Sequence, residues 1–402
     1  MAVQGESCPD SVRNSISAQR GSLIQQGSTT RVGSTARRGH GWRRRVLAAA
    51  VAATALPGVA VLPGVSGLPG MAGTAQALPL RQSPDGTVEP VGETDATPGP
   101  VAEPAPPPAP AAEPAPEPPP RPRFEEFMVP SSMGPVKVQV QWAKNGGDAA
   151  LYLLDGLRAR DDFNAWTFET NALQLFADDN VTLVMPVGGQ SSFYTDWRAP
   201  SSTNGQKFTY RWETFLTQEL PAFLEPMGVS RTRNAIAGLS MGGSAALALA
   251  AYHRDMFMHA SSFSGYLNIS APGMREAIRV AMLDAGRFNV DSMAWPWSPQ
   301  WLRMDPFVFA PQLRGLPMYI SASWGVLGAH DDPASARGAF NTMNAVALEA
   351  LSMLNTVSFM SRMNELGIGA HYSLPTKGTH SWGYWQDQLT AARPDILSAL
   401  GV

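Results

Sequence analysis

The chain has 402 residues, a formal net charge of −3 and a single cysteine, Cys8. This weakly acidic balance argues against a nucleic-acid partner, because nucleic-acid phosphates select basic surfaces. One cysteine can form neither a disulfide framework nor a thiolate zinc site. We therefore expect no nucleic acid, no metal and no cofactor.

Residues 1–77 are predicted to be a basic leader and export signal. Eight arginines, but no lysine, lie in residues 1–45, and an alanine-rich apolar run follows over 46–61. Ala75-Gln76-Ala77 then offers a small-residue cleavage site, and the three features in this order are typical of signal peptides. Paired arginines before the apolar run permit the twin-arginine route. Proline and glycine interrupt the run, which favours a cleaved signal over a membrane-spanning helix. We expect a secreted or cell-envelope protein.

Residues 78–123 are predicted to be a disordered linker. Thirteen prolines stand among the twenty-six residues 97–122, mixed with alanine and glutamate. Proline lacks the amide hydrogen that helices and sheet ladders need, so such a segment forms an extended spacer. We expect it to tether a catalytic domain that begins at residue 124.

Residues 124–402 have a globular composition and are predicted to form a single catalytic domain. Short apolar runs predict strands at 136–142, 149–154, 181–187, 233–237 and 318–321, a further strand that begins at His259, and one at 370–374. Helices are predicted at 165–176, 212–224 and 243–252, within 336–366, and after His380. The Pro/Trp-rich segment 293–311 is interpreted as a loop or lid. Strands that alternate with helices predict an α/β fold with a mostly parallel central sheet and helices on both faces. Ligands then bind at the carboxyl ends of the strands.

The most specific motif is Gly238-Leu239-Ser240-Met241-Gly242, which follows an apolar strand and leads into an Ala/Leu-rich helix. This is the pattern of a nucleophile elbow, a turn so sharp that the serine's neighbours must be nearly free of side chains. The turn presents the Ser240 hydroxyl at the top of the sheet. The Met241 N–H, at a helix N-terminus, is placed to stabilise an oxyanion.

A serine nucleophile needs a general base later in the chain. The histidines after Ser240 are His253, His259, His330, His371 and His380. His380 lies in a glycine-containing loop after the last predicted strand, where this fold carries its base. We therefore favour His380 as the base.

The residue pattern alone leaves the acid of the triad open. Asp331 and Asp332 follow the predicted strand 318–321, at a position where many hydrolases carry an aspartate. Glu349 stands among leucines in a predicted helix, as a partly buried carboxylate that needs a partner would. The two interpretations are equally supported by the pattern.

A second oxyanion donor is expected after the early strand 149–154. Gly156 there permits close approach of the backbone, so the N–H of Leu157 could pair with that of Met241. Asp155 and Arg158 would line the mouth of the site. The alternative is that Asp155-Gly156 is an ordinary turn.

Several segments together resemble the antigen 85 mycolyltransferases, the trehalose/diacylglycerol acyltransferase family of mycobacteria and other mycolate-bearing actinobacteria. The matching segments are 154–162, 184–194, 212–217, 238–241 and 378–382. The resemblance implies an α/β-hydrolase that moves a mycolic acyl group from trehalose monomycolate to a second trehalose monomycolate or to cell-wall arabinogalactan. It implies Ser240 as nucleophile and His380 as base. It also selects Glu349 as the acid, because the family's glutamate has this spacing before the histidine.

The resemblance also assigns residues around the triad. Leu157 and Met241 would supply the oxyanion amides. The implied trehalose contacts are Asp155, Arg158, Ser381 and Trp382, and Asn268 stands where the family usually has an aspartate near the substrate.

Some family features are absent from this chain. The segment 199–208 lacks the cysteines of a disulfide that the family often has. The segment 173–179 lacks the aromatic cluster linked to fibronectin binding, so we do not carry that binding over. Some relatives have lost the serine and are catalytically silent, whereas this chain retains Ser240, which favours activity. Two rival functions are a secreted serine carboxylesterase that uses water and a non-catalytic surface or wall-binding protein.

Overall fold

The computed structural model describes residues 123–334 and 336–402. The predicted leader and nearly all of the predicted linker lie outside these residues. Among the described residues, none of the helices combines the length and apolarity needed to span a bilayer.

The described chain contains an eight-stranded sheet with the order β1-β2-β4-β3-β5-β6-β7-β8. Its strands are β1 Phe124–Val129, β2 Val136–Gln141, β3 Ala150–Leu154, β4 Thr182–Pro186, β5 Asn234–Leu239, β6 Phe257–Phe263, β7 Met318–Ser321 and β8 His371–Ser373. The pairs β1–β2 and β2–β4 are antiparallel, and every pair from β4 to β8 is parallel. The prediction of a mostly parallel sheet is confirmed.

Helices and helical turns connect the strands. The α-helices are α1 Ala172–Leu175, α2 Trp212–Thr214, α3 Leu220–Leu224, α4 Met241–Tyr252, α5 Met274–Gly286, α6 Val290–Met293, α7 Pro299–Arg303, α8 Pro306–Phe309, α9 Ala336–Glu365 and α10 Trp382–Leu400. A π-helical turn, Phe215–Glu219, joins α2 to α3, and 3-10 turns cover Ala165–Thr167, Glu225–Met227 and Ala310–Leu313.

The core lies on both faces of the sheet, because successive strand residues point to opposite sides. In β3, Tyr152 and Leu154 pack on the face covered by α4, whereas Leu151 and Leu153 pack on the other face, with α10. All four of these side chains are buried. The prediction of an α/β-hydrolase fold with helices on both faces is confirmed.

Some predicted elements were wrong in detail. The helix predicted at 165–176 is a 3-10 turn and the short helix α1, separated by an irregular stretch. The Trp166 indole donates to the carbonyl of Leu154, and the Thr170 hydroxyl donates to the carbonyl of Trp166. The first bond anchors Trp166 in the core, and the second occupies a backbone carbonyl of the segment. The strand predicted to begin at His259 begins at Phe257, and β1 and α5 were not predicted.

The segment 293–311, interpreted as a loop or lid, forms short helices that pack on the core. Ser298 and Asp305 cap α7 and α8, and each helix has proline at its first position. This combination of a polar N-cap and a following proline is a strong helix-start signal. Trp301 in α7 is 1% exposed, so the segment is part of the packed domain.

Candidate active site

Ser240 lies between β5 and α4 in a strained backbone conformation, with φ 52° and ψ −120°. A non-glycine residue in such a region costs about 1–3 kcal/mol. The flanking glycines make the turn possible. A Cβ on Gly238 would lie 2.3 Å from the Gly242 carbonyl oxygen, and a Cβ on Gly242 would lie 2.4 Å from the Asp155 carbonyl oxygen. The observed turn has the geometry of a nucleophile elbow.

Ser240, His380 and Glu349 form a continuous hydrogen-bonded chain. The Ser240 Oγ lies 2.9 Å from His380 Nε2, and His380 Nδ1 lies 2.8 Å from Glu349 Oε2. The three residues come from an elbow, a loop and a long helix that are far apart in sequence. This arrangement can draw a proton from the serine hydroxyl and hold the resulting imidazolium against a carboxylate.

The Glu349 carboxylate is nearly enclosed, since its side chain is 2% exposed. Its second oxygen, Oε1, accepts hydrogen bonds from the Ser264 hydroxyl (2.9 Å), the Ser323 amide (2.8 Å) and the Ser323 hydroxyl (3.1 Å). Burial alone would raise the pKa of this carboxyl, but the hydrogen bonds and the charge of His380 outweigh burial and lower the pKa. Glu349 therefore stays ionised as a fixed acceptor for His380.

The histidine loop is held by contacts to neighbouring segments. The His380 amide donates to the Ala345 carbonyl of α9, and the Gly378 amide donates to the Val326 carbonyl. The Trp385 ring packs edge-on against the imidazole, with 5.0 Å between ring centroids. The loop is thus held through its backbone, and the imidazole is held by the Trp385 ring.

The other candidate histidines have separate partners. His253 lies 2.8 Å from Glu213, His259 lies 2.9 Å from the Ser261 hydroxyl, His330 pairs with Asp387, and His371 pairs with Asp395. Burial lowers the pKa of His259 to about 4, so its ring is neutral in the core. Asp331 does not contact His380; its carboxylate accepts from Thr379 and Tyr384.

The predicted oxyanion donors lie beside the elbow. Met241 is the first residue of α4. A Cβ on Gly156 would lie 3.5 Å from the Ser240 Cβ, so the segment that leads to Leu157 passes directly next to the serine. Leu157 and Met241 therefore stay the candidate oxyanion donors.

The predicted sugar-binding residues are in different environments. Arg158 is exposed and forms an ion pair with Asp284 of α5. The Asn268 side-chain amide donates to the Ser358 hydroxyl of α9 at 2.9 Å, and the Asn268 backbone N–H donates to the side-chain oxygen of Asn355. Ser381 is partly exposed at the start of α10, as is Trp382, whose ring packs edge-on against Trp166 and Trp385.

Asp155 does not line the mouth in this structure, contrary to the expectation from the sequence. It is 1% exposed, and its carboxylate accepts from the Ala165 amide. The Asp155 amide donates to the Tyr194 hydroxyl at 3.1 Å. The carboxylate is held inside the domain by its bond from the Ala165 amide. Burial raises the pKa of this carboxyl to about 7, against an opposing effect of the Ala165 hydrogen bond.

The raised pKa of Asp155 predicts a pH-dependent stability. Because the folded-state pKa exceeds the unfolded-state value of 3.8, the folded chain binds more protons between the two values. The contribution of Asp155 to the free energy of unfolding is therefore complete when the pH is below the unfolded-state pKa. It is lost as the pH rises through the folded-state pKa of about 7. We expect Asp155→Asn to gain stability relative to wild type on going from pH 5 to pH 8, by a few kcal/mol. Urea denaturation of both proteins at the two pH values measures this gain. If the difference in unfolding free energy between wild type and Asp155→Asn is the same at pH 5 and pH 8, the prediction is wrong.

Sequence reasoning missed the residues that support the triad. These are Ser264, Ser323, Trp385, which donates to the Ser264 hydroxyl at 3.0 Å, and Tyr266, whose ring lies 6.0 Å from the imidazole. Serines directly after β6 and close after β7 were visible in the sequence. Their common target, the buried Glu349 carboxylate, becomes apparent only when the strands are placed side by side.

Comparison with known proteins gives a consistent assignment. The family model described as a putative esterase matches residues 131–396. The diacylglycerol acyltransferase/mycolyltransferase Ag85B of Mycolicibacterium smegmatis is 43% identical over 288 residues, which cover 69% of this chain and 85% of that protein. Ag85C of Mycobacterium avium is 43% identical over 281 residues, which cover 69% and 77%. The crystal structure of Mycobacterium tuberculosis MPT51 (FbpC1) is 33% identical, with a TM-score of 0.59 over 69% of this chain and 98% of that one.

The fold, the elbow and the family model define the class of this protein as an α/β-hydrolase of the esterase type. Within that class, the chain belongs to the Ag85 family of diacylglycerol acyltransferase/mycolyltransferases. The resemblance inferred from the motifs is confirmed.

Proposed function

We propose that this protein is an exported acyltransferase that moves a mycolic acyl group from trehalose monomycolate to a second trehalose monomycolate or to cell-wall arabinogalactan. The observation that carries the proposal is the hydrogen-bonded chain Ser240–His380–Glu349, at 2.9 and 2.8 Å, in a member of the Ag85 family. Export rests on the leader and cleavage pattern of residues 1–77.

In the first half of the proposed reaction, the Ser240 Oγ attacks the ester carbonyl carbon of the donor. His380 Nε2 takes the serine proton, and Glu349 stabilises the imidazolium through Nδ1–H. The backbone amides of Leu157 and Met241 stabilise the tetrahedral oxyanion. When the intermediate collapses, the bond between the acyl carbon and the sugar oxygen breaks, and His380 protonates that oxygen. Trehalose then departs, and the acyl group remains esterified to Ser240 Oγ.

In the second half, a hydroxyl of the acceptor sugar replaces trehalose. His380 takes its proton as the sugar oxygen attacks the acyl carbon, and the bond to Ser240 Oγ breaks as that oxygen regains a proton from His380. The products are a new sugar ester and the free enzyme. Release of free acid requires water in place of the sugar, so the acceptor decides between transfer and hydrolysis.

The surroundings of the triad support a glycolipid substrate. The loop after β7 carries three exposed apolar side chains, Trp324, Val326 and Leu327. The same loop holds Glu349 through Ser323 and the histidine loop through the Val326 carbonyl. Such a surface suits an acyl chain. Arg158, Ser381 and Trp382 offer charge, a hydroxyl and an aromatic face for the sugar. Asn268 would join them after exchanging its bond to Ser358.

A product analysis with purified protein tests the proposal. Incubation with a trehalose monomycolate should yield trehalose dimycolate and trehalose in equal amounts, with little free acid, as measured by mass spectrometry. Predominant free acid would replace the proposal with the second candidate, a secreted carboxylesterase. Absence of both products, with no labelling of Ser240 by a fluorophosphonate, would instead favour a non-catalytic wall-binding protein.

A further inference from the structure

The Asp331 carboxylate joins three segments around the histidine loop. Its Oδ1 accepts from the Thr379 hydroxyl at 2.6 Å. Its Oδ2 accepts from the Tyr384 hydroxyl at 2.6 Å and from the Gly328 amide at 2.8 Å. These partners belong to the loop after β7, to the residue directly before His380, and to the first turn of α10. We call Asp331, Thr379 and Tyr384 the Asp331 clamp.

The clamp lies immediately next to the base of the proposed triad. Thr379 is 1% exposed, so its hydroxyl is shielded from water, and besides Asp331 it has the Ser381 hydroxyl at 3.4 Å. The same loop after β7 also carries Ser323, which donates to Glu349, and Val326, which accepts from the Gly378 amide. Movement of this loop would therefore displace His380 and disturb the support of Glu349 together.

We propose that Asp331 is a positioning residue for His380, acting through Thr379 and Tyr384 to keep Nε2 in line with the Ser240 hydroxyl. The inference rests on the proposed function only in taking Ser240 and His380 as the reacting pair. It gives a role to a carboxylate that the sequence left as an alternative acid.

The charge of Asp331 suits this task. Burial would raise its pKa, but the hydrogen bonds from Thr379 and Tyr384 and from the Gly328 amide outweigh burial and lower the pKa. Burial and the bond to Asp331 raise the pKa of Tyr384 to about 12, so the phenol remains a donor. Hydrogen bonds to an ionised acceptor are stronger than neutral ones. Asparagine has a single acceptor oxygen and cannot satisfy donors on both sides of the group.

The test compares matched variants by hydrolysis of a short p-nitrophenyl ester, with active sites counted by fluorophosphonate titration. Asp331→Asn should lower kcat by about tenfold while KM changes by less than about twofold, because Asp331 does not touch the substrate. Asp332→Asn is the control, since this neighbour is exposed and accepts from the Ala334 amide of its own loop. The kcat and KM of Asp332→Asn should match those of wild type.

Thr379 supplies a second pair of variants that isolates the hydroxyl. Thr379→Val keeps the side-chain shape and should lower kcat by about tenfold, whereas Thr379→Ser keeps the donor and should retain most activity. The double variant Asp331→Asn/Thr379→Val should be about as slow as the slower single variant, and its loss should be smaller than the product of the two single effects, because both substitutions break the bond between Asp331 and Thr379. A purely structural role would lower the melting temperature without lowering kcat per titrated site.

Two results would overturn the clamp: Asp331→Asn with the same kcat as Asp332→Asn, or single effects that multiply in the double variant. Failure of the proposed function has a different signature. In that case the wild-type protein would release free acid from trehalose monomycolate in place of trehalose dimycolate, while the contrast between Asp331→Asn and Asp332→Asn on the short ester would remain.

Discussion

Ser240→Ala is expected to abolish acyl transfer, with kcat reduced by about 10⁶. The hydroxyl is the group that becomes covalently acylated, and its Oγ lies 2.9 Å from His380 Nε2. The variant should still fold, because alanine fits the volume of serine and the backbone bonds from the Ser240 amide and carbonyl remain. Transfer between trehalose esters, followed by mass spectrometry, measures the loss.

Ser361→Ala is a suitable control, because Ser361 is an exposed serine on α9. It should retain full activity and full labelling by a fluorophosphonate, while Ser240→Ala should lose both. Transfer that survives in Ser240→Ala would mean that the nucleophile has been assigned to the wrong residue.

Glu349→Gln is expected to lower kcat by about 10⁴. A glutamine that keeps its oxygen toward Ser264 and Ser323 presents its amide hydrogens to His380 Nδ1. Nδ1 must then accept, so Nε2 carries the proton and cannot take one from Ser240. The opposite orientation places the amide group against the serine donors and leaves them unsatisfied.

The matched control for this variant lies on the same helix. Glu365→Gln removes an exposed carboxylate near the end of α9, whose partner is Arg362. Exposed pairs of this kind contribute about 0–1 kcal/mol, so activity and stability should stay close to wild type. Steady-state kinetics and thermal melts of both variants measure the contrast. A Glu349→Gln enzyme with wild-type kcat would remove Glu349 from the proposed triad.

The elements that sequence reasoning predicted best were those with local physical causes. Buried parallel strands are continuous apolar runs, and β3, β4, β5 and β7 were found within a residue or two of their predicted bounds. Elements decided by long-range contacts were predicted poorly. The helix predicted at 165–176 is divided in the structure, and there the Trp166 indole donates to the Leu154 carbonyl at the end of β3, a partner that the local sequence does not reveal.

The candidate site shows the same contrast between local sequence patterns and long-range contacts. The elbow at Ser240 has a local sequence pattern, and the sequence alone predicted it. A Cβ on Gly238 would collide with the backbone of the same turn, whereas Gly242 is required by the backbone of Leu154 and Asp155 at the end of β3. His380 was predictable from chain order. The choice between Glu349 and Asp331 was open in the residue pattern and was made by family resemblance.

Only the tertiary structure decided what the two carboxylates contact. The packing of α9 places Glu349 2.8 Å from the imidazole, while the loop after β7 turns Asp331 toward Thr379 and Tyr384. The spacing of residues along the chain does not contain these distances, because they depend on where a helix and a loop meet across the edge of the sheet. The sequence by itself predicted Ser240 as the nucleophile and His380 as the base, and the fold decided which carboxylate faces His380.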